Sequence, residues 1–489
     1  MSTKITDLEP KALWAHFDAI CQVPHPSKKE DKIRKFMVDF GKKAGLETIV
    51  DKVGNVIIRK PATPGMENRM GVVLQGHMDM VPQANDGSPH NFETDPIQPW
   101  IDGEWVRAKE TTLGADNGMG VAAAMAILEA KNLVHGPIEA LITTDEETGM
   151  TGAKGLEPEL LKGDILINLD SEDEGELYVG CAGGIDAVAT GRYVEESLPA
   201  GYVGYTLSAK GMKGGHSGMD IILGRANANK VLFRFLYEIT KKVDVRIASV
   251  KGGSLRNAIP REAFAIVALP EEKVAKMKRE LRNFGKIVKK EYALVEPTLE
   301  FSCKKTRKPA KVMDGNSQSQ YIRAIYACPN GVERMSDSME GLVETSNNLA
   351  VIKIKNGKMS VAALVRSSVD TAKDDLAHKI AATFELVDGC TVKLSGSYPG
   401  WNPNMNSAIL KVAQETYQKM YGKIPETKAI HAGLECGLLG SKYPNWDMIS
   451  FGPTIRSPHS PDERVNIPTV DKFWKFLVEI LKNIPVAIN

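Results

Sequence analysis

Three apolar runs, MGVVLQGH (70–77), IEALITTD (138–145) and DILINLD (164–170), constrain the fold most strongly, because each reads as a short strand apolar almost throughout. Such strands need cover on both faces. The run GMGVAAAMAILEAKNL (118–133) between the first two is a helix of the same texture, and LEPKALWAHFDAI (8–20) and SKKEDKIRKFMVDFGKKAG (27–45) carry apolar residues at helical spacing. Ser27 is the expected N-cap of the latter and Gly45 its stop. With ETIVD and NVIIRK as further strands, the alternation predicts an α/β layer around a mainly parallel sheet.

From about residue 187 the texture changes. GYTLSAKG, DVRIASVKGG and EAFAIVALP read as strands, and RANANKVLFRFLYEITKK and EEKVAKMKRELRNFGKIVKKEYA as helices. A second series follows: the helix SQSQYIRAIYAC, the strands NLAVIKIKNG and KMSVAALVRSS, the helix TAKDDLAHKIAATFELV and the strand TVKLSG. Each series suits an α+β unit with helices on one face of an antiparallel sheet, so an internal duplication is an open expectation. After SYPGWNPN, a turn-rich boundary, SAILKVAQETYQKMYG and WDMISFG restore the α/β texture. The expected domains are therefore 1–186 joined to 399–489, with 187–398 inserted between them.

Composition excludes several classes. The chain has 489 residues, 43% hydrophobic and 25% charged, with a formal net charge of +1. That balance offers no bulk attraction for nucleic acid or an acidic membrane. No apolar run is long enough to span a bilayer and the start lacks a signal-peptide core, which makes the cytoplasm the expected location. The six cysteines are scattered, without the close pairs of a zinc ribbon or the density of a disulfide scaffold, and read as reduced thiols.

The strand ends carry the chemistry. GHMDMV places His77 and Asp79 after one strand, TTDEETG places Glu146 and Glu147 after another, INLDSE places Asp170 after a third, and GADNGMG places Asp116 before a helix. In open α/β sheets the carboxyl ends of neighbouring strands converge on one crevice. His459 in SPHSPDE can join them. Singly, each motif has an ordinary explanation: a solvated His/Asp pair, acids at a helix start, a turn, an N-cap or a loop histidine. Jointly they form the donor set of a hydrolytic metal site, which accounts for adjacent acids that would otherwise repel.

The motifs GHMDMVP, TTLGADNGMGVA, TTDEETGMTGA, INLDSEDEGELYVGCAGG, GGHSGMDI, RNAIPREA and SPHSPDERV closely resemble those of the aminoacyl-histidine (Xaa-His) dipeptidases, within the co-catalytic zinc peptidases that include aminoacylase and carboxypeptidase relatives. The likeness runs over essentially the whole chain. It implies a discontinuous mixed-sheet catalytic domain with an inserted α+β lid, and metal-dependent hydrolysis of unblocked dipeptides. It also implies two divalent ions per subunit, Zn²⁺ first and Co²⁺ or Mn²⁺ as alternatives, and a homodimer.

By the resemblance Asp116 bridges the ions, His77 and Asp170 complete one site, and Glu147 and His459 complete the other. Glu146 acts as general base and Asp79 orients the His77 imidazole. The peptide bond between Asp116 and Asn117 is expected to be cis. His216 is expected to stabilise the oxyanion, and Asn257 and Arg366 to contact substrate, the arginine through its carboxylate. Glu435, in HAGLECG, is expected to bind the substrate's free ammonium. The competing readings are an aminoacylase or deacetylase using the same metals on N-acyl amino acids, and a binding protein that has lost turnover.

Overall fold

The computed structural model describes residues 4–487. They form two compact units, one made of the chain through Gly180 with Pro403–Ala429 and Leu434 onward, the other of Cys181–Asn402 with Ile430–Gly433.

The first unit is built on an eight-stranded sheet in the order Glu47–Val50, Val56–Lys60, Ile138–Thr143, Val72–His77, Ile165–Asn168, Asp447–Ser450, Glu176–Cys181, Glu426–Ile430. The four strands from Ile138–Thr143 to Asp447–Ser450 are mutually parallel. Every residue of the three apolar strands at the centre is buried, which is why their sequences do not alternate. The parallel register pairs His77 with Thr143, Gln75 with Asn168, and Asn168 with Ser450, so their carboxyl ends lie side by side.

Helix Ala115–Glu129 packs on helix Lys11–Cys21 and strand Val72–His77, and every residue from Ala115 to Leu128 except Asp116 is buried. The contact is close enough to require glycine. A Cβ on Gly76 would meet Asn117 Oδ1 at 2.2 Å, and one on Gly120 would meet the Leu169 carbonyl at 2.5 Å. The predicted helix over 27–45 spans Asp31–Lys43, with Gly45 in the left-handed region at its end. Ser27 does not cap it. Its hydroxyl donates instead to Asp79 Oδ2 at 2.7 Å, so the serine serves the strand ends rather than the helix.

In the second unit a nine-stranded antiparallel sheet contains two copies of one topology. Tyr202–Lys210, helix Ala228–Ile239, Arg246–Gly252, Ala263–Pro270, helix Val274–Glu291 and Glu300–Thr306 form a βαββαβ unit whose strands lie in the order fourth, first, third, second. Gly183–Arg192, helix Gly315–Ala327, Val343–Lys355, Lys358–Ser367, helix Asp370–Glu385 and Thr391–Tyr398 repeat it in the same order.

The second strands of the two copies pair antiparallel, Lys251 opposite Lys353, and weld them into one sheet. The duplication thus exists in topology, with one copy threaded between the first strand and first helix of the other. That threading hid the strand Gly183–Arg192 from the sequence pattern. One apolar core runs under both copies, taking Phe235, Phe284, Tyr321, Ile380 and Phe384 from the four helices.

Gly76→Ala is expected to lower the unfolding free energy by about 1–3 kcal/mol, the usual range for overpacking, because the methyl has only the Asn117 side chain to displace. Denaturant unfolding of the variant checks this. Wild-type stability would show that the helix can back away from the strand.

Candidate functional site

The acidic triplet is distributed by its backbone. Asp145 has φ 53°, a left-handed conformation uncommon for a residue with a Cβ, and its buried carboxylate accepts from Lys28 Nζ at 2.6 Å and from the hydroxyls of Thr148 and Thr151. Asp79 takes up the turn that follows. Its Oδ1 accepts the Glu146 N–H at 3.0 Å and its Oδ2 the Glu147 N–H at 3.4 Å, beside the Ser27 hydroxyl. Burial works against the charge on Asp79, but His77, Ser27 and the Glu146 amide outweigh it and hold the carboxyl down at about 2.

His77 has its tautomer set by a main-chain acceptor. Nδ1 lies 2.9 Å from the Asp79 carbonyl and 3.5 Å from its Oδ1. A carbonyl oxygen can only accept, so Nδ1 carries the hydrogen. Nε2 then faces Asp116 Oδ1 at 3.1 Å and Asp170 Oδ1 at 3.4 Å. In a neutral ring that nitrogen would turn its lone pair on two carboxylate oxygens, so the arrangement calls for a positive charge, either a proton on Nε2 or a cation among the three groups. Asp116 repeats the arrangement on its other side, where Oδ2 is 3.2 Å from His459 Nε2, itself 3.0 Å from Glu147 Oε2. One carboxylate therefore belongs to two donor groups, His77/Asp116/Asp170 and Asp116/Glu147/His459. The Asp116–Asn117 peptide is cis.

The electrostatics match a site built for cations. Burial above all, with repulsion from Asp116 and Glu435, pushes Asp170 up to about 7 in spite of His77. Burial likewise raises Glu146 well above the usual carboxylate range, with Asp170, Glu435 and Glu147 adding to it against His77. Hydrogen bonds donated to Asp116 and Glu147 raise His459 to about 11 against its partial burial. Burial would depress His77, but Asp170, Asp116 and Asp79 raise it well above the ordinary imidazole value. Glu147 Oε1 and Asp170 Oδ1 are buried without a hydrogen-bond partner. Imidazole nitrogens and carboxylate oxygens in this proportion suit divalent ions, and two such ions would remove every one of these conflicts.

Glu435 requires a correction. It has no exposed surface, and its Oε2 accepts from Gln75 Nε2 and Thr143 Oγ1, both at 2.7 Å. The carboxylate expected to greet a substrate ammonium is thus bonded inside the fold. It ends a buried polar chain in which Asn168 Nδ2 donates to Gln75 Oε1 at 2.5 Å, while Asn168 Oδ1 accepts from Ser450 Oγ at 2.5 Å and from the Asp170 N–H at 3.3 Å. This chain fixes the strand end that carries Asp170.

The second unit gathers His216, Asn257 and Arg366. Strand Gly215–His216 pairs with Ala258–Ile259, and the Ser217 N–H donates to the Asn257 carbonyl at 2.8 Å, while the Asn257 side chain belongs to an exposed residue. His216 has the opposite tautomer to His77: Nδ1 accepts the N–H groups of Gly218 and Met219 at 3.2 and 3.1 Å, which leaves the hydrogen on Nε2. Burial and the Arg366 charge lower its pKa and keep the ring neutral. Arg366 is 5% exposed. Its Nε donates to Ser217 Oγ at 3.3 Å and its Nη1 to Tyr398 Oη at 3.1 Å, and among the described residues no carboxylate pairs with it.

The profile of Peptidase family M20/M25/M40 matches residues 73–483. The chain belongs to this peptidase family. It is 47% identical to the cytosol non-specific dipeptidase of Escherichia coli (strain K12), with 99% of both chains covered. It superposes on the crystal structure of aminoacylhistidine dipeptidase from Vibrio alginolyticus with a TM-score of 0.96 and 49% identity, again over 99% of each chain. An aminopeptidase from Bacillus cereus shares the fold at a TM-score of 0.57 and 17% identity.

Beyond the motif residues, this M20/M25/M40 member uses side chains that carry no spacing signal. Gln75, Asn168 and Ser450 each interrupt or end an apolar run, and that break was the available clue. Ser27 and Lys28 lie outside every motif. Asp79→Asn is expected to lower kcat about 10–100-fold, the usual scale for groups that orient a metal site, while His77 keeps its main-chain partner and the ions stay bound. Activity assays with metal analysis check this. Loss of metal without loss of turnover per bound metal would put Asp79 in a different role.

Proposed function

We propose that the chain is a metal-dependent dipeptidase, acting on unblocked dipeptides including those of Xaa-His type. The observation that carries this reading is the Asp116 carboxylate shared between two imidazole-bearing donor groups, with Glu146 beside them. His77, Asp116 and Asp170 would hold one divalent ion, and Asp116, Glu147 and His459 the other. Zinc suits this donor set, with cobalt or manganese as substitutes. Ions held there would supply polarisation of a scissile carbonyl and a water of lowered pKa.

The residues of the chain divide the remaining work. Glu146 takes the proton of the attacking water and passes it to the leaving amine. His216 donates its Nε2–H to the carbonyl oxygen as negative charge develops there. Arg366, a buried cation without a carboxylate partner among the described residues, pairs with the C-terminal carboxylate of the substrate, and Asn257 binds the same substrate. The protein works in the cytoplasm as a homodimer. The names of the Escherichia coli and Vibrio alginolyticus relatives, both dipeptidases, support the dipeptide substrate.

Chelation is expected to abolish hydrolysis of unblocked dipeptides and added divalent metal to restore it, with N-acetylated dipeptides and tripeptides turned over poorly. Full activity after verified metal removal would refute the metal mechanism, and a preference for the N-acetylated panel would favour an aminoacylase. Glu146→Gln should keep metal and lose turnover, whereas Glu147→Gln should lose metal first. Metal analysis beside kcat separates them, and equal metal loss with near-normal turnover in Glu146→Gln would reverse the roles.

Arg366→Ala should raise KM for dipeptides by the equivalent of about 2–5 kcal/mol and leave C-terminally amidated analogues nearly unchanged. Equal losses on both substrates would show that the arginine does not read the carboxylate.

A further inference from the structure

Glu463 is 2% exposed and has no cationic partner among the described residues, yet all of its acceptor capacity is used. Its Oε2 accepts the N–H groups of Leu113 and Gly114 at 2.7 and 2.9 Å, and its Oε1 those of Ala115 and Asp116 at 2.8 and 3.2 Å. Four consecutive main-chain donors thus converge on one carboxylate, in the segment that leads into the shared ligand Asp116. Four N–H donors leave neither oxygen room for a proton, so this geometry is that of the carboxylate, in which each bond is charge-assisted and stronger than its neutral counterpart.

The other end of the clamp matters equally. Strands Ile455–Arg456 and Arg464–Asn466 pair antiparallel, Arg456 opposite Arg464, and the loop between them carries both His459 and Glu463. His459 has φ 59°, a left-handed conformation that the surrounding loop must hold. Among the described residues these are the hydrogen bonds to main-chain groups that tie the loop of Asp116 to the loop of His459.

We propose that Glu463 is the positioning residue of the metal centre, locking the Asp116 loop to the His459 hairpin so that both cation subsites are held as one. The proposal rests on the two-ion reading given above. Glutamine at this position presents its amide N–H groups to two main-chain donors, so at least two of the four bonds are lost. Aspartate keeps the charge and the acceptors on a shorter arm.

The test is a Co²⁺ titration of the metal-free full chain, followed by the cobalt absorption spectrum, on wild type, Glu463→Gln, Glu463→Asp and Glu147→Gln. In Glu463→Gln both dissociation constants should rise together, by about 10–100-fold, the scale on which groups behind metal ligands act. Glu463→Asp should recover part of the loss, whereas Glu147→Gln should weaken one ion and spare the other. At saturating cobalt KM should stay within twofold of wild type while kcat falls. Hydrogen exchange at the amides of 113–116 should accelerate in Glu463→Gln.

A purely structural residue would lower Tm and leave both cobalt constants of the folded protein unchanged, which overturns the proposal, as does weakening of a single ion. If Glu463→Gln does not fold, Glu463→Asp carries the test, with a smaller but parallel rise in both constants required. A wild-type chain that binds fewer than two ions removes the centre itself. That failure is distinct from two-ion binding that is indifferent to Glu463.

Discussion

A main-chain carbonyl cannot donate a hydrogen bond, and the organisation of the first unit depends on that restriction at Asp79. It places a hydrogen on Nδ1 of His77 and leaves Nε2, the nitrogen that faces Asp116 and Asp170, for a proton or a cation. Everything around that nitrogen is then negative, and on the far side of Asp116 the pattern recurs with His459 and Glu147. The folded chain holds like charges together at a cost that divalent ions would offset. The second unit uses the opposite choice, since two N–H donors at Nδ1 of His216 leave an Nε2–H available to donate.

The scaffold makes these choices possible. Four parallel strands set His77 opposite Thr143 and, two residues back, Gln75 in line with Asn168 and Ser450, and the buried chain from Glu435 through Gln75 and Asn168 to Ser450 fixes their ends with polar bonds inside an apolar sheet. A buried network is stabilising only when its members are satisfied. Here Asn168 uses both ends of its amide, and Glu435 keeps one oxygen without a hydrogen-bond partner, at the end of the network nearest the acids. The glycines at 76 and 120 serve the same purpose by letting the helix of Asp116 approach the strand of His77.

Much of this was legible in the sequence. Continuous apolar runs gave the buried parallel strands, and carboxylates and imidazoles at their ends gave the donor groups, because both follow from local composition and from the convergence of strand ends. The repeated βαββαβ topology was only half visible. Strand Gly183–Arg192 is separated from its own helix, Gly315–Ala327, by an entire copy of the motif, and no local pattern reports such a pairing. Ser27 resembled a helix cap because it precedes a helix, but Asp79 competes for its hydroxyl through contacts 52 residues apart in the chain. Glu435 reads in the sequence as a contact for the substrate ammonium because a loop motif does not reveal burial, and its partners Gln75 and Thr143 are distant in sequence.

The most direct test is a crystal structure of the zinc-loaded protein with anomalous diffraction recorded on either side of the zinc absorption edge. The account predicts two anomalous peaks per chain, one bound by His77 Nε2 and Asp170 and the other by His459 Nε2 and Glu147, with one oxygen of Asp116 on each. A single peak, or none with His77 and His459 hydrogen-bonded directly to Asp116, would contradict it.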